Sequence, residues 1–518
     1  MADALQNRVN DALWSACDAL RGPIDSTSYK EYILPLLFYK YVSDVWRDKR
    51  ETYEKEYAGQ PDAEALVQRR MGRLAFKVPV PFEEIAARAP HDPHLGETLN
   101  TAFAALEEAN GDRLAEVFQG VDYNTPKLGK PREANERLKS LVGTFDREVL
   151  DFRPSRLGDR HHDIVGNAYM YLIQRFAEGA GKKGGEFFTP PEVSRLLARL
   201  VDPRPGDRLY DPTMGSGSLL IAVAEHLRKT YDTNDFALYG QEINGDTWAL
   251  AKMNAVLHGF PAAHFERDDT LAVPRHLDGD RLMTFDVVVA NPPFSLKEWG
   301  YGRAELDAKT HNRYHRGLPP KTRGDFAFIS HMVASLRRDG GRMGVVVPHG
   351  VLFRGGREGT IRESLVRENL LDAVVGLSDK LFYGTGIPAA LLLFRRGRQT
   401  EDVLFVDGSG LFEPGTRQNR LGDPDIDHIA EAVEAFRDDP EGYEDEPKVT
   451  HRATFEEIEE NEFNLNVSRY VDTYEPEPEV DLAQAQREIR DLERELADVR
   501  AEMDAALSAL GLALPDDA

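Results

Sequence analysis

Between about residues 165 and 400 the chain alternates short apolar runs with helical stretches, and this alternation limits the possible folds most severely. "DRLYDP", "FALYGQEI", "AHFERDD" and "FDVVVA" have strand length and strand composition, while "SLLIAVAEHLRKTY" and "DTWALAKMNAVLHG" carry apolar residues at helical steps. "FAFISHMVASLRRDGG" is a further helix. The runs "RMGVVVPHG", "LDAVVGL" and "AALLLFRR" close the series. A strand that returns parallel to its predecessor needs a long crossover, which a helix supplies. The pattern therefore predicts an α/β fold, a doubly wound parallel sheet with helices on both faces. In such sheets ligands bind beyond the carboxyl ends of the strands, so the residues just after each run form the candidate site.

The flanks read differently. Residues 1–160 predict an all-helical N-terminal domain: in "YKEYILPLLFYKYVSDVW" the apolar residues Ile33, Leu34, Leu36, Leu37, Tyr41 and Val42 recur at three- and four-residue steps. The sheet belongs to a second domain over 161–475, whose last part, 400–475, reads as acidic and turn-rich. In the final segment, 476–518, Leu482, Ala485, Ile489, Leu492, Leu496, Val499, Met503, Ala506 and Leu510 follow a heptad. That is the seam of a coiled coil, and it predicts docking on a helix of another chain.

Composition narrows the function classes. The 518 residues carry a net charge of −25, which argues against a chain that coats nucleic acid by itself. From Leu296 to Arg323, however, seven Lys/Arg face three acids, with Tyr301 and Tyr314 interleaved, so a local basic rim is expected there. The single cysteine, Cys17, rules out an internal disulfide and argues against a cysteine-rich metal site; no metal is expected. No apolar run is long enough to span a bilayer, and "MADALQNRVNDALW" has no signal pattern, so a cytoplasmic protein without membrane contact is expected.

Three strand ends carry the chemistry. In "YDPTMGSGSLL" an acid, Asp211, closes a strand, Gly215 and Gly217 permit a tight turn, and a helix begins. A helix start offers free N–H groups, but a bare G-x-G is a weak dinucleotide signal, since Leu220 stands where a third glycine would be. The next strand ends in "YGQEIN", whose Glu242 is placed to accept hydrogen bonds from the two hydroxyls of a ribose. "FDVVVANPPFS" is the most unusual. Asn291 precedes a proline and is held extended, so its side-chain oxygen can be aimed. The Pro292 carbonyl is a second rigid acceptor, Pro293 stiffens the turn, and Phe294 offers a face for a flat ring. Together they suit an amino group on a planar base. Two acceptors on the adenine N6 hydrogens favour a tetrahedral nitrogen and free its lone pair for attack.

At these residues the chain resembles S-adenosylmethionine-dependent amino-methyltransferases. More closely, it resembles the methylation subunit of type I DNA restriction-modification systems. The resemblance covers nearly the whole chain: "STSYKEYILPLLFYKYVS", the lead-in "GNAYMYLIQRFAEGAGKKGGEFFTPPEVSRLLARLV", then "DPTMGSGSLL", "GQEIN", "RDDTL", "NPPFS" and "NEFNLNVSRYVD" in family order. It implies a Rossmann-like, seven-stranded sheet with its last strand antiparallel, in the motif order called gamma. It places Glu186, Phe187, Phe188, Thr189, Pro190 and Pro191 around the methionine moiety of the cofactor, and Asp211 near its ammonium. Gly215, Ser216, Gly217 and Ser218 would form a wall, Glu242 would hold the ribose, and Asp269 the cofactor's adenine amine. Asn291, Pro292, Pro293 and Phe294 would hold the target base. "RDDTL" departs from many relatives, which have a glycine before the acid.

The implied partners are duplex DNA, a specificity subunit, a second copy of this chain and, in some systems, a restriction subunit. The implied reaction is direct methyl transfer to a flipped adenine, without a covalent enzyme intermediate. Cytosine C5 methylation, which needs an attacking thiol, is excluded because Cys17 lies outside the sheet region. Cytosine N4 methylation stays open, since that exocyclic amine has the same two hydrogens, although Asn rather than Ser at 291 favours adenine. Two further alternatives stand beside this reading: methylation of a protein glutamine amide, and a non-catalytic clamp on DNA.

Overall fold

The computed structural model describes the chain apart from residues 1, 23, 25–27, 159–160, 180–187, 308–309, 383–385, 417, 474–481 and 511–518. It divides into two units, Met1–Asp472 and Thr473–Ala518.

The first unit is built on a single large sheet. Its strands are β1 (Arg208–Asp211), β2 (Ala237–Glu242), β3 (His264–Arg267), β4 (Val287–Ala290), β5 (Arg342–Pro348), β6 (Leu371–Leu377), β7 (Ala389–Arg395), β8 (Val403–Gly408) and β9 (Thr450–Ala453). They lie in the order β9-β8-β6-β7-β5-β4-β1-β2-β3. The strands β3, β2, β1, β4 and β5 are mutually parallel, and β7 runs antiparallel to both of its neighbours, β5 and β6. The seven strands β1 to β7 thus form the sheet expected from the sequence, with its seventh strand reversed. The two outer strands come from the stretch that reads as acidic and turn-rich. There, β8 pairs parallel with β6, and β9 closes the edge antiparallel. The run "VLFV" is buried in β8; charged neighbours on both sides mask it in the sequence.

Alternation along the strands explains why the sheet is covered twice. In β4, Val287 and Val289 belong to one apolar core, and Val288 and Ala290 to the other. The first core is continuous with the N-terminal helices. It joins Ile33, Leu37 and Tyr169 to Leu209, Leu250 and Val346. The helix α1 (Lys30–Glu56) is buried on every side from Tyr32 to Asp44, which a helix tolerates only inside a large core. Lys40 and Asp44 are taken inside with it as an ion pair. Two crossover helices cover one face. They are α2 (Ser218–Tyr231), following β1, and α3 (Gly245–Leu257), following β2. On the opposite face lies α4 (Asp325–Ala334), whose Phe326, Ile329 and Met332 sit in the second core.

Among the described residues of the second unit there is one helix, α5 (Leu482–Ala509). Its seam residues Ile489, Leu492, Leu496, Val499 and Met503 are 48–63% exposed in the single chain. Among the described residues, no helix is long and apolar enough to cross a membrane, and no cluster of His, Cys, Asp and Glu is arranged to hold a metal ion.

Candidate active site

The strand order reverses between β1 and β4, so the carboxyl ends of these two neighbours open a crevice. Leu209 pairs with Val287 and Tyr210 with Val288, which brings Asp211 level with Val289, two residues before Asn291. The glycine turn and the N-P-P-F turn therefore leave the sheet side by side.

After β1 the backbone needs left-handed conformations, at Gly215 (φ +54°) and Gly217 (φ +77°). Both suit glycine, which has no Cβ to clash. A Cβ on Gly217 would also stand 3.4 Å from that of Ala251 on α3. Ser216 is fully buried and its Oγ has no hydrogen-bond partner among the described residues, and Ser218 opens α2. Glu242 ties this turn to β2: its Oε2 accepts from the Gly215 N–H at 3.0 Å and its Oε1 from the Asn244 N–H at 2.9 Å. The third strand end is tied in as well, through Thr270 Oγ1, which donates to the Pro212 carbonyl at 2.6 Å. Asp269 Oδ1 accepts from the N–H groups of Leu271 and Ala272, which holds the carboxyl in one orientation.

Asp211 is 1% exposed, and its Oδ1 accepts from the Thr213 N–H at 2.9 Å. Burial pushes its carboxyl up to about 8 against the opposing pull of that N–H, with the nearby charge of Glu242 adding to the rise. Burial likewise raises Glu242. Burial disfavours the charged form of both carboxyls, so each has unmet demand for a cationic or hydrogen-donating partner. The orphaned Ser216 hydroxyl, the glycine cradle and this donor-seeking pair fit a ligand that carries an ammonium and a ribose.

On the other side of the crevice, Asn291 and Phe294 are half-buried. Asn291 Nδ2 donates to Thr189 Oγ1 at 3.1 Å. Phe294 meets Phe382 edge to face, with ring centroids 6.1 Å apart. The turn itself is pinned at Ser295 (φ +52°), whose N–H donates to the buried Asp325 Oδ1 at 2.8 Å. Arg354 braces the same group by donating to Ser295 Oγ and pairing with Asp325 Oδ2. Phe188 and Thr189 are buried beside this turn, Pro190 precedes the helix Pro191–Leu200, and Pro191 opens it. Glu186 and Phe187 lie outside the described residues.

The basic rim is smaller than the sequence count suggests. Arg313 is buried and paired with Asp307, Arg316 pairs with Glu368, and Arg323 with Glu358; Tyr314 is also buried. Lys297, Arg303 and Lys321 are exposed, and Lys309 lies outside the described residues. Counting charge along a segment cannot see which cations are spent inside the fold. Thr189 as a partner for Asn291, and Asp325 and Arg354 behind Ser295, were not legible as such, since each joins residues from 29 to 102 positions apart.

Comparison with known proteins places the chain in a defined context. Residues 160–479 match the family model described as N-6 DNA Methylase, and residues 9–145 match the HsdM N-terminal domain. The MpnII type I restriction enzyme methylase subunit of Mycoplasma pneumoniae is 32% identical over 96% of this chain and 95% of its own length. The EcoKI methylase subunit of Escherichia coli is 25% identical over 89% of this chain and 82% of its own. Among solved structures, the type I restriction-modification methyltransferase subunit of Streptococcus thermophilus superposes with a TM-score of 0.79 at 33% identity. It covers 90% of this chain and all of its own.

Proposed function

Because the chain belongs to the N-6 DNA methylase family, as a type I methylation subunit, we propose that the crevice between β1 and β4 methylates the N6 amine of an adenine swung out of duplex DNA. The enzyme is an adenine-specific DNA methyltransferase, the modification component of a type I restriction-modification system. When bound, S-adenosylmethionine supplies an electrophilic methyl carbon on sulfur. Asp211 would hold the cofactor's ammonium, its carboxyl giving up its proton to solvent. Glu242 accepts from the ribose hydroxyls, with both oxygens already fixed by backbone N–H groups. Asp269 takes the cofactor's adenine amine. Ser216, Ser218 and the turn at Gly215 and Gly217 wall the pocket, with Phe188, Thr189, Pro190 and Pro191 at its methionine end.

The observation that carries the reading is the placement of Asp211 and Asn291 at the ends of adjacent strands, donor side next to acceptor side. Asn291 Oδ1 and the Pro292 carbonyl accept the two N6 hydrogens, Pro293 keeps the turn rigid and Phe294 stacks on the base. Holding both reactants in line lowers the barrier mainly by positioning. The base leaves its helix for a half-buried pocket, so flipping is part of the cycle.

Its kin are named as subunits, and this chain too works within an assembly: a DNA-recognition specificity subunit, a second copy of itself and, where present, a restriction subunit. The exposed seam of α5 suits the specificity subunit, and Lys297, Arg303 and Lys321 suit the DNA backbone near the crevice. The test is radiolabel transfer to duplex DNA by the assembled complex. Asn291→Ala is expected to abolish transfer while cofactor binding persists. Label appearing on protein instead of DNA, or unchanged transfer by the variant, would overturn the reading.

A further inference from the structure

The hydrogen bond from Asn291 to Thr189 joins two residues with the same local construction. Each stands immediately before a pair of prolines, Pro190–Pro191 and Pro292–Pro293. A residue before proline is confined to extended backbone, so both side chains project from stems with little freedom. Thr189 is 6% exposed, and its χ1 is stiffened by branching at Cβ. The two stems are 102 residues apart in sequence and belong to different parts of the crevice: one leads into the helix Pro191–Leu200, the other ends β4.

An amide can face the crevice with either end. Turned one way it presents an oxygen that accepts from an exocyclic amine; turned the other way it presents two N–H donors, which oppose that amine. In the structure the nitrogen is turned back onto the Thr189 hydroxyl, which accepts, and Oδ1 has no donor on it among the described residues. We infer that Thr189 is a positioning residue for catalysis: its hydroxyl holds the Asn291 amide with its oxygen toward the target base. This rests on the methyltransferase reading above and adds a role to Thr189 distinct from bordering the cofactor.

The inference predicts a split between turnover and binding. In the assembled complex, Thr189→Val is expected to slow single-turnover methylation about tenfold at saturating cofactor and DNA, the loss of one oriented hydrogen bond. Cofactor affinity by calorimetry and DNA affinity by fluorescence anisotropy are expected to change less than about twofold. Thr189→Ser, which keeps the hydroxyl, is expected to stay within about threefold of the parent rate. A Val variant at the parent rate, a loss recovered by raising the cofactor concentration, or an equal loss in the Ser variant would each overturn the inference. Asn291→Ala is assayed in parallel. If it abolishes transfer while Thr189→Val does not slow it, only this inference fails; if Asn291→Ala is itself unaffected, the parent reading fails.

Discussion

Arg313 and Asp307 have side chains only 3% exposed, and they meet in an ion pair of 2.6 Å. Arg313 spends its remaining donors on the carbonyls of Thr270 and Leu271 and on His331 Nδ1. The segment that follows the N-P-P-F turn is thereby tied to the loop that carries Asp269. Removing one partner of a buried pair strands the other charge, which costs about 3–5 kcal/mol. Arg313→Met is expected to lower the urea midpoint accordingly and to weaken cofactor binding. Asp307→Asn/Arg313→Met, which removes both charges, is expected to recover part of the stability. Equilibrium urea unfolding followed by tryptophan fluorescence checks both; a single variant as stable as the parent would contradict the role given to the pair.

The raised carboxyl of Asp211 gives a pH dependence of definite sign. Its folded value, about 8, lies above the ordinary carboxyl value in the unfolded chain. Between roughly pH 4 and 8 the native state therefore holds a proton that the unfolded state has released, and stability falls as pH rises. The slope from this one group is at most about 1.4 kcal/mol per pH unit. Without cofactor, Asp211→Asn is expected to flatten the decline of the melting midpoint between pH 5 and 8 and to weaken cofactor binding. Parallel midpoint curves for the two proteins would exclude this assignment.

Phe294 is half-buried and braced by Phe382, so truncation removes a stacking surface more than a structural prop. Stacking of a base on an aromatic side chain contributes about 1–3 kcal/mol. Phe294→Ala is expected to lower kcat/KM for DNA about 10- to 100-fold, with cofactor affinity unchanged by calorimetry. Phe294→Trp is expected to stay within a few-fold. Equal losses in both variants would mean that shape at this position matters more than an aromatic face.

The seam of α5 exposes Leu496 by 52%. An aspartate there leaves the single chain nothing to lose but places a charge in any coiled-coil core. Leu496→Asp is expected to melt at the parent temperature and to bind cofactor normally, yet to fail to co-elute with the specificity subunit in gel filtration. Co-elution at the parent ratio would move the docking surface elsewhere.

The fold was legible wherever local pattern and burial agree. Strands β4 to β7 announce themselves because a strand buried on both faces is a largely apolar run, as Val287 to Ala290 is, whereas β3, "HFER", buries only Phe265. Strand β9, "THRA", has no such signature; it exists because β8 offers it an edge. In the site, strand ends and turn residues could be read directly, since Asp211, Glu242 and Asn291 each stop an apolar run. What could not be read was tertiary. The pairing that hides Arg313, the brace of Asp325 on Ser295 and the partner of Asn291 all depend on where distant segments arrive.

The register of β1 against β4 has one more implication. Neighbouring strands in any sheet hang about 4.8 Å apart, a spacing fixed by the peptide hydrogen bond itself. With Asp211 and Asn291 at the ends of two such neighbours, the spacing between the stems that carry them is set by backbone geometry. Substitutions on the rim or along the docking helix therefore leave that spacing as it is.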